Sequence, residues 1–545
     1  MFIDTPNSAS STAADSVPSQ QGYHTFPFTS GRADIHWMHP TPLQLQFYWS
    51  IFCERVDPLV KVLHKPTVEK MLQQDFTALE KSSTALLFAI YYSAVTSLTD
   101  DEVLSNLRLT REEVIQNYKF AVEQALVNAN FLETQEIVTL QAFALYLVSS
   151  WTIGEVKSVW TMSGLAMRLA QSMGLHRDGT LFDLSPLEIE NRRRLWWQLW
   201  YLDIRTSEDH GSDSNATNLK FDTKLPLNIN DSDLDTSTSS ILEDSQGLTD
   251  TTFSVIRYQV AWTNRKISGR SSHHESLAEK EKALTECFKI IEMNYLRYCE
   301  GSANTLYWLV ENVTRMLMDK SWFMLYHSPT WLQGKASMSR ELQDRLLVFA
   351  IQIIERTQEM EHDSKAVKWI WLSHNYFQWL PRAFILAELC TRQRNDVVDR
   401  AWKAINATFE TWSQTTANSK NGILLKKLMA KATAKREGIS ADASRESFMN
   451  TDLGLSSGLD PKTGLSCLST PESSNADIDT GVQNMMPTLA TNMFQWWKQP
   501  PPDMTITNDS VYTGDWNHLL IPDFGAIIQY EGRPRNSYPV IDGGI

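Results

Sequence analysis

Clustered cysteines are what this 545-residue sequence most plainly lacks. Its five, Cys53, Cys287, Cys299, Cys390 and Cys467, are scattered, odd in number and never spaced C-x-x-C. That pattern excludes a disulfide framework and a thiolate-held metal cluster, and fits buried thiols in a reducing compartment. His36, His39, Cys53 and His64 do not have metal-ligand spacing either. No uncharged apolar run reaches the roughly eighteen residues of a membrane-spanning helix. The first twenty residues have no basic start and no apolar stretch, so no signal peptide is expected. Convincing strands are missing, and with them any glycine-rich phosphate loop or serine nucleophile elbow. A basic excess is missing too: 50 Lys and Arg against 64 Asp and Glu give a net charge of −14. A chain of that sign gains little from neutralising phosphates unless a basic patch is segregated on it.

What is present is helix. Hydrophobic residues make up 42% of the chain and tryptophans number nineteen, enough for a sizeable core filled by large rings. The organising stretch runs from Val159 to Asp203. In its first half Val159, Met162, Ala166, Leu169, Ala170 and Met173 form one apolar stripe, with Thr161, Gly164, Arg168 and Ser172 on the other side. Gly174 stands where a helix C-cap needs positive φ, and Ser185, Pro186 and Glu188 make a capping-box start for the next helix. There Leu195, Leu199 and Leu202 take one face and Trp197, Tyr201 and Ile204 the opposite one, the pattern of a buried central helix. Arg192, Arg193 and Arg194 open that helix against its dipole, so structural ion pairing is expected from Glu188, Glu190, Asp178 and Asp183. A phosphate clamp is the alternative.

These residues carry a resemblance. The succession W…GLAMRLAQSMGLHRDG…E.RRRLWWQLWYLD resembles the regulatory (middle homology) domain of fungal zinc-cluster transcription factors. Four further segments agree in the same order: His39 to Thr67, Ser207 to Asn215, Phe221 to Leu234 and Gly247 to Val260. The resemblance implies a motif core of Trp160, Gly174, His176, Arg177, Arg193, Arg194, Trp196, Trp197 and Asp203. It implies an all-α regulatory, effector-responsive domain acting in transcription in the nucleus. The family's zinc cluster needs six thiolates in two C-x2-C-x6-C halves. This sequence has none of them, so zinc is expected only if an N-terminal cluster is missing from it, as in a truncated gene model. The other expectation is a cluster-less relative that modulates a DNA-binding partner or pairs with itself, reaching DNA only indirectly.

Four segments are expected. Residues 1–35 are rich in Ser, Thr, Pro and Gln and read as disordered. Residues 36–436 form the all-α domain of packed helical hairpins, with the core motifs in 37–330. Within it Lys65-Pro66 reads as an extended connection, residues 205–250 as an irregular surface excursion, Glu275 to Tyr298 as a helix with Leu277, Leu284, Phe288, Ile291 and Tyr295 inward, and Trp369 to Leu389 as a helix kinked at Pro381. Residues 437–490 are a Ser/Thr/Asp-rich linker. The acidic, aromatic segment 491–545 carries Trp496, Trp497 and Trp516, which either bind the transcription machinery or dock on the chain's own core. Lys426, Lys427, Lys431, Lys435 and Arg436 read as a nuclear-localisation patch or a solvated helix end.

No catalytic, metal or cofactor residues are assigned. Asp100-Asp101-Glu102 lacks the partner motif of a metal-dependent cyclase, since Asn230-Asp231 has no serine at the required step. His176, just past a helix C-terminus, reads as structural. The competing class is an all-helical enzyme or small-molecule binder with no role at promoters.

Overall fold

The computed structural model describes residues 34–438 apart from 211–218, 235–241, 269–274, 300, 334–338, 374–377 and 411–419. The expected disordered segment at the N-terminus (but for its last two residues), almost all of the linker and the whole aromatic C-terminal segment lie outside these residues. Among those described there is no strand, and the fold is all helical, as the periodicity predicts.

Local signals set the boundaries. Pro42 and the Thr41–Gln44 capping box start α1 (Pro42–Ile51), which runs on into a π-helical turn at Phe52–Val56. α2 (Lys65–Leu72) begins at Lys65, correcting the extended reading of Lys65-Pro66. Pro66 is accommodated in the first turn, where its missing N–H costs nothing. α3 (Lys81–Thr96) is buried on every side and forms the axis of the first half. α4 (Asp100–Leu107) and α5 (Arg111–Asn128) each start on a Thr–Glu capping box. α6 (Ile137–Thr152) packs on α3, and α7 (Val156–Ser172) and α8 (Pro186–His210) close as a hairpin beside it. α9 (Thr252–Ser268), α10 (Leu277–Asn294) and α11 (Thr305–Gln333) lead into a second layer. That layer contains α12 (Arg340–His362), α13 (Ile370–Ser373), α14 (Trp379–Leu389), α15 (Asp396–Glu410) and α16 (Lys420–Arg436).

Two hydrophobic cores result. One is built on α1, α3 and α5–α9, with Trp369, Trp371 and Leu372 returning to it from the second layer. The other gathers α11, α12 and α14–α16 around Phe323, Ile351, Phe384 and Ile405. The exposed lysines of α16 lie opposite Leu425, Leu428 and Ala432, which face this second core.

Three further expectations are corrected. α14 starts at Trp379, so Pro381 sits in its first turn and kinks nothing. Leu277, expected inward, begins α10 largely exposed, because the buried stripe of that helix starts at Leu284. The most consequential correction concerns residues 205–250. α8 continues four turns' worth of sequence past Arg194 to His210, and from Arg193 to Ser207 every residue is buried. The described residues of 219–234 and 242–251 then form a strap that turns inward, with Thr223, Asn228, Ile229, Asp231 and Leu234 all buried. Its polar side chains replace the missing secondary-structure hydrogen bonds. Asn228 donates to the carbonyls of Ser245 (2.7 Å) and Gly247 (2.9 Å) and accepts from Thr252 Oγ1 (2.7 Å).

Candidate functional site

The family-motif arginines stand at the start of α8, and each has a different fate. Arg192 donates to the Met173 carbonyl at the end of α7 (2.8 Å). Arg193 grips Asp178 with two parallel bonds, Nε to Oδ2 at 2.9 Å and Nη2 to Oδ1 at 2.8 Å. Arg194, the next residue and more deeply buried, reaches Glu190 (3.1 Å), Asp231 (2.7 Å) and the Leu63 carbonyl (3.2 Å). Of the four expected acidic partners, Asp178 and Glu190 serve. Glu188 instead caps the helix through Ser185.

Asp231 is the hub. It accepts from Lys61 Nζ at 2.6 Å as well as from Arg194, and from the Lys65 backbone N–H at 2.9 Å. Lys61 also pairs with Asp57 at 2.7 Å, and Lys65 bridges Asp57 (3.7 Å) and Asp250 (3.1 Å). Lys61, Asp57, Arg194, Glu190 and Asp231 are each no more than 1% exposed. Burial pushes the Asp231 carboxyl upward, but Lys61 and Arg194 outweigh it and hold the group well below the usual carboxylate range. For Asp57 and Glu190 burial wins, and both carboxyls lie above that range. Each carboxylate has a cation or backbone donor on it, so the centre ties its elements together as an ionic lock. It joins the end of α1, the start of α8 and the strap.

The other motif residues divide into two groups. Gly174 takes φ +74° and ends α7 with Leu175 N–H returning to the Ala170 carbonyl (2.9 Å), as its position predicts. The His176 carbonyl accepts from the Asp222 N–H (3.1 Å), and the exposed Arg177 pairs with Asp222 (2.8 Å). Asp178 receives the Lys224 N–H (2.9 Å), so the Arg193 clamp also holds the strap. Burial raises the Asp178 carboxyl, but hydrogen bonds from Arg193, Thr180 and Lys224 hold it below the carboxylate range. Trp197 donates to the Lys224 carbonyl (2.7 Å) and packs with Trp200, Phe221, Tyr258 and Trp262, while Trp196 is wholly buried beside Phe221. Trp160 and Asp203 lie apart, toward the far end of α8. Trp160 stacks on His210 at 4.1 Å and donates to Ser207, and Asp203 accepts from Ser163 (3.0 Å). Trp496, Trp497 and Trp516 lie outside the described residues.

The chain of lysine and carboxylates escapes sequence reasoning, although its signal is there: Asp57 and Lys61 are four residues apart, and Asp231 lies in a segment that carries the resemblance. Asp100-Asp101-Glu102 turns out to open α4, with Glu102 capping Thr99 and bound twice by Arg55 (2.6 and 2.8 Å).

Beyond Leu59 a cavity of about 50 Å³ lies where the two cores meet. Its wall includes Leu59, Phe253, Met316, Met360, Trp369 and Leu372, with Arg257 as its one charged member.

A profile described as the fungal specific transcription factor domain matches residues 45–351, from α1 into α12. The aurofusarin cluster transcription factor aurR2 of Gibberella zeae is 33% identical over 68% of this chain and 57% of its own length. The pyriculol/pyriculariol biosynthesis cluster transcription factor 1 of Pyricularia oryzae is 28% identical over 73% of this chain and 56% of its own length. The C6 finger domain transcription factor nscR of Arthroderma benhamiae is 28% identical over 71% and 56%. The chain thus spans little more than half the length of the curated relatives it matches. The match covers the α7–α8 hairpin, the ionic lock and the strap together, and the chain belongs to the fungal specific transcription factor domain family.

Proposed function

We propose that this chain is the regulatory part of a transcription regulator that acts in the nucleus on a biosynthetic gene cluster. The observation that carries this reading is the domain match over residues 45–351, shared with relatives that are named as transcription factors, two of them for a gene cluster. DNA is reached through a second module, a zinc cluster outside this sequence or a DNA-binding partner, and the chain pairs with that partner or with a second copy of itself. The net charge of −14 gives this part no general attraction for duplex DNA. The C-terminal segment, with Trp496, Trp497 and Trp516, contacts the transcription machinery. Neither cofactor nor zinc is held by this part itself, and elemental analysis of the purified chain is expected to find no stoichiometric zinc. An enzyme is the less favoured reading, because the carboxylates of the ionic centre are taken up by cations and backbone donors.

Deletion of the gene followed by genome-wide transcript measurement tests the proposal. The expected result is a coordinated change across a block of physically linked biosynthetic genes. Unchanged transcripts across every such block would contradict it.

A further inference from the structure

Among the described residues Arg257 is a buried cation with no anion paired to it. It is 3% exposed, its Nε finds no hydrogen-bond acceptor, and none of the ion pairs among the described residues includes it. Its compensation is partial: the guanidinium carbon lies 4.9 Å from the Tyr201 ring centre and 4.6 Å from that of Phe253, and Nη2 donates to the Leu59 carbonyl. Cation–π contacts return only part of what burying a charge costs. The other cations buried against the lock, Lys61 and Arg194, have two carboxylates each. Arg257 differs from them in facing a cavity whose remaining wall is almost wholly hydrocarbon and aromatic.

From this geometry we propose that the cavity at the junction of the two cores binds a small apolar carboxylate, its acid group paired with Arg257 and its hydrocarbon against Phe253, Met316 and Met360. The volume limits the ligand. About 50 Å³ is well under the ~150 Å³ of a cavity that takes benzene, yet above the ~15 Å³ that one water needs. The acid group and the first carbons of an acyl chain fit inside, and the rest of the chain extends past the half-buried Val313, Leu317 and Ile370. Two features make the position suited to signalling. The wall is drawn from both cores, so an occupant biases how they sit together. Leu59, which holds Arg257, is also two residues from Lys61 of the ionic lock. As an input to transcription the site rests on the function proposed above; as a binding site it does not.

The test uses the purified full chain with trifluorobutyrate and its uncharged match, trifluorobutyramide, followed by fluorine NMR and thermal melts. The acid is expected to bind at least about ten-fold more tightly than the amide, a difference of about 1.4 kcal/mol. Arg257→Met is expected to abolish that preference and leave the weak amide binding unchanged. Should Arg257→Met melt below the working temperature, Val313→Phe, which narrows the cavity and keeps the cation, is expected to weaken both probes. Equal binding of acid and amide, no binding of either at millimolar concentration, or acid binding untouched by both substitutions overturns the proposal. Because these readouts need no promoter, a failure here is distinct from a failure of the transcriptional reading.

Discussion

Asp231 holds two buried cations and the backbone of a third residue at once. Pairing in such a place returns little net stability, since desolvation costs several kcal/mol per ion, but removing one partner strands the others. Asp231→Ala is therefore expected to destabilise the chain by about 3–5 kcal/mol, read from denaturant or thermal unfolding. The acid response follows from the same groups. Asp231 and Asp178 titrate below the ordinary carboxylate range when folded, and the double Arg55 bond holds Glu102 down to about 2. Their stabilisation is complete above that range and is lost as pH falls through it. Asp57 and Glu190 have raised values, so their contribution has the opposite sign: present at low pH and lost as pH rises. Melts from neutral pH down to about pH 3 should show a falling midpoint. Arg193→Ala should start lower by a few kcal/mol, roughly, and fall less steeply, because Asp178 then has no guanidinium to lose. An unchanged slope in the mutant would remove Asp178 from the account.

Among elements, α8 bears the most. Leu199 is 1% exposed between Leu195 and Leu202, and Leu199→Ala is expected to cost about 2–5 kcal/mol through lost burial and a residual cavity. A cost under about 1 kcal/mol would show that this face can collapse around the deletion. α8 was legible in the sequence because a helix apolar on two faces has only one stable location, and the Ser185–Glu188 box and Gly174 bound the hairpin by local chemistry alone. The strap was not legible. Its Asn, Asp and Thr residues are the ones a solvated loop would use, and only three-dimensional pairing shows Asn228 and Asp231 turned inward. Composition reports polarity and does not report what satisfies it. Pro381 failed for a related reason: whether a proline kinks or starts a helix depends on a boundary a few residues away. Arg257 stands in a segment that carries the resemblance, but of its partners only Phe253 is local, and Tyr201 and Leu59 lie 56 residues away and farther, so nothing local marks a buried cation.

For the whole molecule, the described helices form two cores joined through α9–α11, and the family match reaches from the first into the second. The aromatic C-terminal segment is read as separable from them. Deleting residues 491–545 is expected to leave the thermal midpoint of the helical part nearly unchanged, and a large drop would make Trp496, Trp497 and Trp516 core residues. On the proposed function, the ionic lock and the strap hold together a regulatory unit whose output is transcription. Fusing the chain to a heterologous DNA-binding module and measuring a reporter in a fungal host tests that claim most directly. Reporter output should change several-fold relative to the module alone, and the change should be lost in the Asp231→Ala fusion. An output equal to that of the DNA-binding module, from a fusion that is folded and nuclear, would contradict it.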